Sequence, residues 1–170
     1  VEVKIVDREG KTLGPDEAGE IVVRGFNVMK GYFDAAEETK STIDAEGFLH
    51  TGDVGTMDAR GYLRITDRLK DMFIVGGFNA YPAEIENVML KQGDIAEVAV
   101  IGIPDERLGE VGMAFVVPKP GATLDPDALL AWCKANMANF KVPRRVKVLE
   151  KLPRNATGKV TKFELRELAK

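Results

Sequence analysis

The chain has 170 residues, 45% hydrophobic and 30% charged, with a net charge of −3. That length holds one domain or two small ones, and that balance allows a buried core and excludes a disordered chain. No apolar run approaches the roughly 18 residues of a membrane span, no signal-peptide pattern is present, and a single cysteine excludes an internal disulfide; a reducing cytoplasm fits.

The chain opens on an apolar alternation, Val1, Val3 and Ile5, which reads as the middle of a sheet and suggests a piece of something longer. Gly10 to Gly19 supplies turn residues, and Glu20 to Arg24 is a short strand. Asp34 with Glu37 predicts a capping box for a short helix. Gly47 to Asp53 predicts a strand ending in a turn. Val54 to Met57 and Gly61 to Ile65 flank a hairpin signal at Asp58-Ala59-Arg60-Gly61.

The pattern changes after Lys70. Met72 to Val75 and Phe78 to Tyr81 are short extended pieces around Gly76-Gly77. Pro82 suits the first turn of a helix with Ile85, Val88 and Met89 on one face, and Gly93 suits its end. Glu97 to Ile103, Gly112 to Val117 and Val146 to Leu149 predict three strands. Asp125-Pro126 opens a helix with Leu129, Leu130, Cys133 and Met137 inward. Thr161 and Glu164 predict a capping box for a last helix whose core contacts would be Phe163 and Leu168. The fold class expected is α+β. A β-rich segment, residues 1–69, precedes a small α+β domain, residues 70–170, with a roughly three-stranded central sheet and flanking helices.

Charge is unevenly placed: residues 141–170 carry +7 and the remainder −10. A basic tail on an acidic body reads as a solvated surface or as an anion-binding face.

Three motifs carry chemistry. Thr51-Gly52-Asp53 reads alone as a turn with an Asx-type hydrogen bond, although a carboxylate held there can also accept both hydroxyls of a ribose. Asp67-Arg68 reads alone as a surface ion pair, although the planar guanidinium also suits ribose or phosphate oxygens. In Pro153-Arg154-Asn155-Ala156-Thr157-Gly158-Lys159 a lysine follows a flexible Thr-Gly turn, as on a mobile loop that reaches a phosphate. It is not a P-loop, because Pro153 stands where the first glycine is required. His50 reads as a ring packed beside a turn with no acid–base partner, and Cys133 beside Trp132 reads as core.

Together and in this order the motifs resemble the C-terminal portion of the adenylate-forming, AMP-binding enzymes, most of all the acyl-CoA synthetases. The resemblance covers essentially the whole chain. It rests on Gly19-Glu20-Ile21 with Gly25, Gly31-Tyr32, Thr51-Gly52-Asp53, Gly61-Tyr62-Leu63, Asp67-Arg68, Ala83-Glu84-Ile85-Glu86, Pro104-Asp105 and the Lys159 motif. It implies two half-reactions: a carboxylate attacks the α-phosphate of ATP and expels pyrophosphate, then a thiol, usually that of CoA, displaces AMP.

By this resemblance Asp53 and Arg68 would bind the ribose, Lys159 would bridge the α-phosphate and the attacking carboxylate, and Lys70 would be the hinge. Gly77 would line the pantetheine path, and Phe140 and Arg144 would lie near the nucleotide end of CoA. Val142 and Leu108 depart from the Arg and Trp of companion positions, and Ile74 stands where luciferase has a second lysine. The intact enzyme would use ATP, magnesium, CoA and a carboxylic acid. Its phosphate loop, acyl pocket and magnesium carboxylate would lie in a missing N-terminal part, so the fragment would hold no metal ligand, would need no bound cofactor and would be inactive alone. No nucleic acid and no integral membrane segment are implied, and the cytoplasmic location is compatible with peripheral membrane association. Acetylation of Lys159 would remove its charge and stop adenylation. An adenylation domain that loads a carrier protein, or a free-standing CoA- or nucleotide-binding module, are the alternatives.

Overall fold

A computed structural model describes residues 1–170. The chain divides into two compact units, Val1–Lys70 and Asp71–Lys170. No helix is long and apolar enough to cross a membrane.

The first unit is a four-stranded antiparallel sheet of β1 (Glu2–Val6), β2 (Gly19–Arg24), β3 (Leu49–Met57) and β4 (Leu63–Arg68), in that order. β1 is therefore an outer strand, and of the alternating Val1, Val3 and Ile5 only Ile5 is buried. β3 runs unbroken through Thr51-Gly52-Asp53, where a turn was expected. It does so by arching: the β2–β3 register moves from Glu20 opposite Val54 to Val22 opposite His50, so the arch bulges from the ladder. The hairpin at Asp58–Gly61 forms as its sequence suggests, with Asp58 accepting from the N–H groups of Arg60 and Tyr62 at 2.9 Å.

α1 (Ala36–Thr42) lacks the expected capping box. Asp34 has a positive φ of 54° and lies outside the cap position, which Ala35 occupies. Thr39 braces the entry instead: its Oγ1 accepts from Tyr32 N and donates to Ala35 O, each at 2.9 Å.

The second unit is built on a mixed five-stranded sheet. β5 (Phe73–Val75) and β6 (Phe78–Ala80) form a short hairpin whose β5 meets β8 (Gly109–Pro118). β8 pairs antiparallel with the long β7 (Ile95–Asp105) and parallel with β9 (Arg145–Val148). The expected three strands are its centre, and the two short extended pieces join as added strands.

β8 is buried continuously from Val111 to Val117 because both of its faces are covered. Val100, Val111, Ala114 and Val116 face one core with Ile85, Met89, Leu129 and Cys133 of α2 (Pro82–Met89) and α3 (Pro126–Asn136). Ala99, Ile101, Met113 and Phe115 face the other, with Leu152 and with Leu165 of α4 (Lys162–Leu168). Gly102 and Gly112 are opposite one another, and a Cβ on Gly102 would sit 2.4 Å from that of Phe73, so the pair leaves room for this ring.

α3 begins as expected, with Asp125 accepting from Asp127 N at 3.1 Å. α4 differs. Thr161 is its cap residue, but the hydroxyl donates to Glu164 Oε1 at 2.6 Å and no side chain caps the backbone. Phe163 and Leu168 are exposed, and the core contact is Leu165. Seven residues present one inward position to the sheet, and Leu165 holds it.

Candidate functional site

In the first unit, Asp53 and Arg68 are directly opposed in the β3–β4 ladder, and Arg68 Nε lies 2.7 Å from Asp53 Oδ1. Both side chains reach solvent, so planar donors and a two-oxygen acceptor stand side by side. The arch that carries Asp53 is cross-tied. Thr51 Oγ1 donates to Ile21 O at 2.7 Å and accepts from Asp53 N at 3.1 Å. Gly52 has φ +68°, a left-handed conformation that glycine adopts without strain. Its N–H donates to Glu20 Oε1 at 3.1 Å.

His50 is not the partnerless ring that its sequence context suggested. Its Nδ1 is 2.8 Å from Glu20 Oε2 and its Nε2 is 3.8 Å from Asp44 Oδ2. Glu20 comes from a strand thirty residues upstream, so no local signal connects it to this motif.

Lys70 is exposed in a single 3-10 turn, Leu69–Asp71, that joins β4 to β5.

In the second unit, Lys159 is exposed and its ammonium has no ion-pair partner. Its loop is braced rather than loose. Arg154 and Val160 form a bridge, and Asn155 N donates to Lys159 O at 2.9 Å. Asn155 Oδ1 accepts from Thr157 N, Thr157 Oγ1 and Lys159 N at 3.1, 2.8 and 2.9 Å. Arg154 donates to Gly158 O at 2.6 Å and to Glu97 Oε2 on β7. The apparent flexibility of a Thr-Gly turn is removed by Asn155 and Arg154, whose role only the closed turn reveals. Three residues on, Lys162 Nζ is 3.8 Å from both Asp71 Oδ2 and Glu86 Oε1, and this carboxylate oxygen also accepts from Val100 N at 2.8 Å.

Gly76 and Gly77 form the two-residue turn of the β5–β6 hairpin, with φ of +56° and +89°. Positive φ at both positions is the turn that matches strand twist, so the pair has a conformational reason of its own. Gly76 N donates to Leu108 O at 2.9 Å, which fixes the turn beside the β7–β8 connection. Nothing lies within 4 Å of a Cβ placed on Gly77, so this turn borders open space.

Next in sequence, Phe78 is 61% exposed and stacks on Phe140 at 5.0 Å between ring centroids. Phe140 also packs against the core, so it is both a core contact and half of a surface stack. Lys141 lies 5.4 Å from the Phe140 centroid and pairs with Glu84. Arg144 is exposed, its N–H donates to Gly112 O at 2.7 Å, and Nη2 donates to Asn139 Oδ1 at 3.2 Å. Val142, which replaces an arginine of the resembled pattern, is core and 2% exposed.

Gly77, Phe140 and Arg144 therefore share one end of the sheet, where β8 starts. The Lys159 loop is anchored through Glu97, which pairs with Val117 at the far end of β7–β8, whereas the turn by Gly76 lies near the Asp105–Gly109 pair. Eight residues of strand separate these anchors, about 25 Å at ~3.3 Å per residue. No group of three or more His, Cys, Asp or Glu side chains is placed to hold a metal ion.

One small domain thus carries two separate faces, one with a lone lysine and one with a glycine turn and stacked aromatics. Comparison with known proteins shows the family. Residues 84–159 match the AMP-binding enzyme C-terminal domain and residues 1–33 match the AMP-binding enzyme family. The chain belongs to the AMP-binding, adenylate-forming enzyme family, of which it carries a C-terminal portion.

It is 63% identical over 151 residues to the 3-[(3aS,4S,7aS)-7a-methyl-1,5-dioxo-octahydro-1H-inden-4-yl]propanoyl:CoA ligase of Rhodococcus jostii, covering 89% of this chain and 29% of that protein. It is 44% identical over 169 residues to the long-chain-fatty-acid–CoA ligase of Salmonella typhimurium, covering 99% of this chain and 30% of that protein. The crystal structure of ATP-bound MatB from Rhodopseudomonas palustris superposes with a TM-score of 0.91 at 43% identity, over 98% of this chain and 33% of that one. The chain thus spans about a third of the length of the relatives it matches.

Proposed function

We propose that this chain is the C-terminal third of an AMP-forming acid–CoA ligase, with Lys159 acting in adenylate formation and the Gly77 end acting in thioester formation. The observation that carries this reading is the separation of the two groups along β7–β8. One domain cannot present both ends to one reaction centre without turning. A hinge at Lys70, between residues 1–69 of the large domain and residues 70–170 of a mobile one, supplies the turn.

In the first half-reaction a carboxylate oxygen of the acid forms a bond to the α-phosphorus of ATP and the bond to pyrophosphate breaks. Asp53 accepts the ribose hydroxyls and Arg68 donates to the same sugar. The Lys159 ammonium lies between two anionic groups that must approach, and it stabilises the charge that shifts toward pyrophosphate. The braced Asn155 turn suits this role, because a preorganised donor needs little rearrangement at the moment of reaction. In the second half-reaction the CoA thiolate bonds to the acyl carbon and AMP leaves. The open space beside Gly77 suits the narrow pantetheine arm. The Phe78–Phe140 stack with Arg144 suits a nucleobase and phosphates, and the basic 141–170 segment agrees. Magnesium would be held by residues outside this chain.

The two CoA ligases described above act, by their names, on a fused-ring propanoate and on long-chain fatty acids. Both share this third of the chain, which supports assigning it the chemistry common to such ligases rather than the choice of acid.

The test is to separate the half-reactions in the intact ligase that contains this chain. Lys159→Ala is expected to slow adenylate formation from ATP by about 100- to 1,000-fold. It should leave thioester formation from preformed acyl-adenylate within about threefold of the parent. Equal loss of both halves would refute the assignment. The 170-residue chain alone is expected to show no ATP–pyrophosphate exchange.

A further inference from the structure

We propose that Glu20 is a positioning residue for Asp53, acting through its hydrogen bond from Gly52 N–H. This inference rests on the reading of Asp53 as the ribose acceptor.

The β2–β3 register slips by two residues at the Thr51–Asp53 arch, so backbone groups of the arch fall outside the ladder. A backbone N–H withdrawn from both ladder and water needs an acceptor. Glu20 supplies it. Its side chain is 15% exposed, and its two oxygens are divided between Gly52 N at 3.1 Å and His50 Nδ1 at 2.8 Å. The other ring nitrogen of His50 lies 3.8 Å from Asp44 Oδ2. A carboxylate this enclosed needs partners on both oxygens, and it has them.

Gly52 immediately precedes Asp53. Its left-handed φ of +68° sets the direction in which the chain leaves the arch, and so the direction of the Asp53 side chain. Thr51 ties the arch to β2 through Ile21 O and accepts from Asp53 N, and the N–H between them, that of Gly52, is held by Glu20. Glu20 does not touch the sugar. It decides whether Asp53 meets two hydroxyls or one.

This predicts a readout that a purely structural role would not move: discrimination between ATP and 2′-deoxy-ATP, taken as the ratio of their kcat/KM values in the intact ligase. Four variants are compared with the parent. Asp53→Ala should lower the ratio and establish the value without the contact. Glu20→Ala should lower it by about tenfold, toward that value, with KM for the acid unchanged. Glu20→Gln keeps an oxygen for Gly52 N–H and should retain the ratio within about threefold. Glu20→Asp, one methylene short of Gly52, should lower it and serves if the alanine variant does not fold.

If Asp53→Ala lowers the ratio while Glu20→Ala and Glu20→Asp keep it, the role of Glu20 is overturned and the ribose reading stands. A fall in Glu20→Gln as deep as in Glu20→Ala overturns the Gly52 hydrogen bond as the means. If Asp53→Ala itself leaves the ratio unchanged, the ribose reading fails and the inference fails with it.

Discussion

Arg68 Nε sits 2.7 Å from Asp53 Oδ1 across paired strands, with the arginine 58% and the aspartate 24% exposed at the side chain. Two groups proposed to share a ribose thus hold each other before any nucleotide arrives. Solvent screens such a pair, which contributes about 0–1 kcal/mol to folding. Asp53→Asn and Arg68→Ala should therefore each change stability by about 1 kcal/mol or less in a denaturant titration. Each should also raise KM for ATP in the intact ligase by about 10- to 100-fold, because hydrogen bonds to charged groups contribute about 1.5–3 kcal/mol. A large stability loss without a change in KM would mark the pair as structural.

Asn155→Ala removes one oxygen that serves three donors in the Lys159 turn. The turn is exposed, so water replaces most of what folding loses, and the cost should be about 1 kcal/mol. Adenylate formation should slow by about tenfold because Lys159 is no longer presented in one place. Thioester formation from preformed adenylate should not change, since that chemistry is assigned to the other end of β7–β8.

Gly77 has φ +89° and no neighbour within 4 Å of a Cβ. Strain, not collision, is what a side chain would meet. Gly77→Ala should destabilise the chain by about 1–2 kcal/mol, and Gly77→Asn by less, because asparagine tolerates the left-handed region. If the open space admits a pantetheine arm, Gly77→Asn should nevertheless slow thioester formation more than adenylation. Melting curves and single-turnover rates separate the two effects.

Asp105 links the β7–β8 turn to the Gly76 turn. Its Oδ1 accepts from Leu108 N at 2.9 Å and Arg107 N at 3.0 Å, and Leu108 O accepts from Gly76 N. Those N–H groups, Leu108 foremost, hold the carboxyl below its ordinary value of 3.8. A depressed folded-state pKa contributes stability that is present above the unfolded value and is lost as pH falls through the folded one. Asp105→Asn should melt below the parent at pH 7, and the gap should close as the pH drops below 3.8. A gap independent of pH would assign the loss to geometry rather than charge.

Cys133 is fully buried among the α3 core, and burial pushes its thiol up to about 11. It should resist alkylation at pH 8 in the folded chain and react on unfolding, which makes it a one-site reporter of the second unit.

Local chemistry made much of the second unit readable. Asp125-Pro126 starts α3 where a cap and a first-turn proline agree, and Gly76-Gly77 forms the turn that paired glycines favour. Other patterns misled. Asp34 and Glu37 have the spacing of a capping box, but Thr39 holds that entry. Phe163 and Leu168 are apolar and exposed, since the sheet takes only Leu165 from a seven-residue helix. Thr51-Gly52-Asp53 has turn composition, yet strands on both sides keep it within β3.

The amino-acid sequence by itself determined the family, the α+β class and the order of the motifs, because these reside in contiguous residues whose chemistry is local. Only the tertiary structure decided that Glu20 holds Gly52, that His50 has carboxylates on both nitrogens, and that the Lys159 and Gly77 turns are anchored at opposite ends of one hairpin. Those relations depend on strand register, and register is set by the summed packing of residues far apart in the chain.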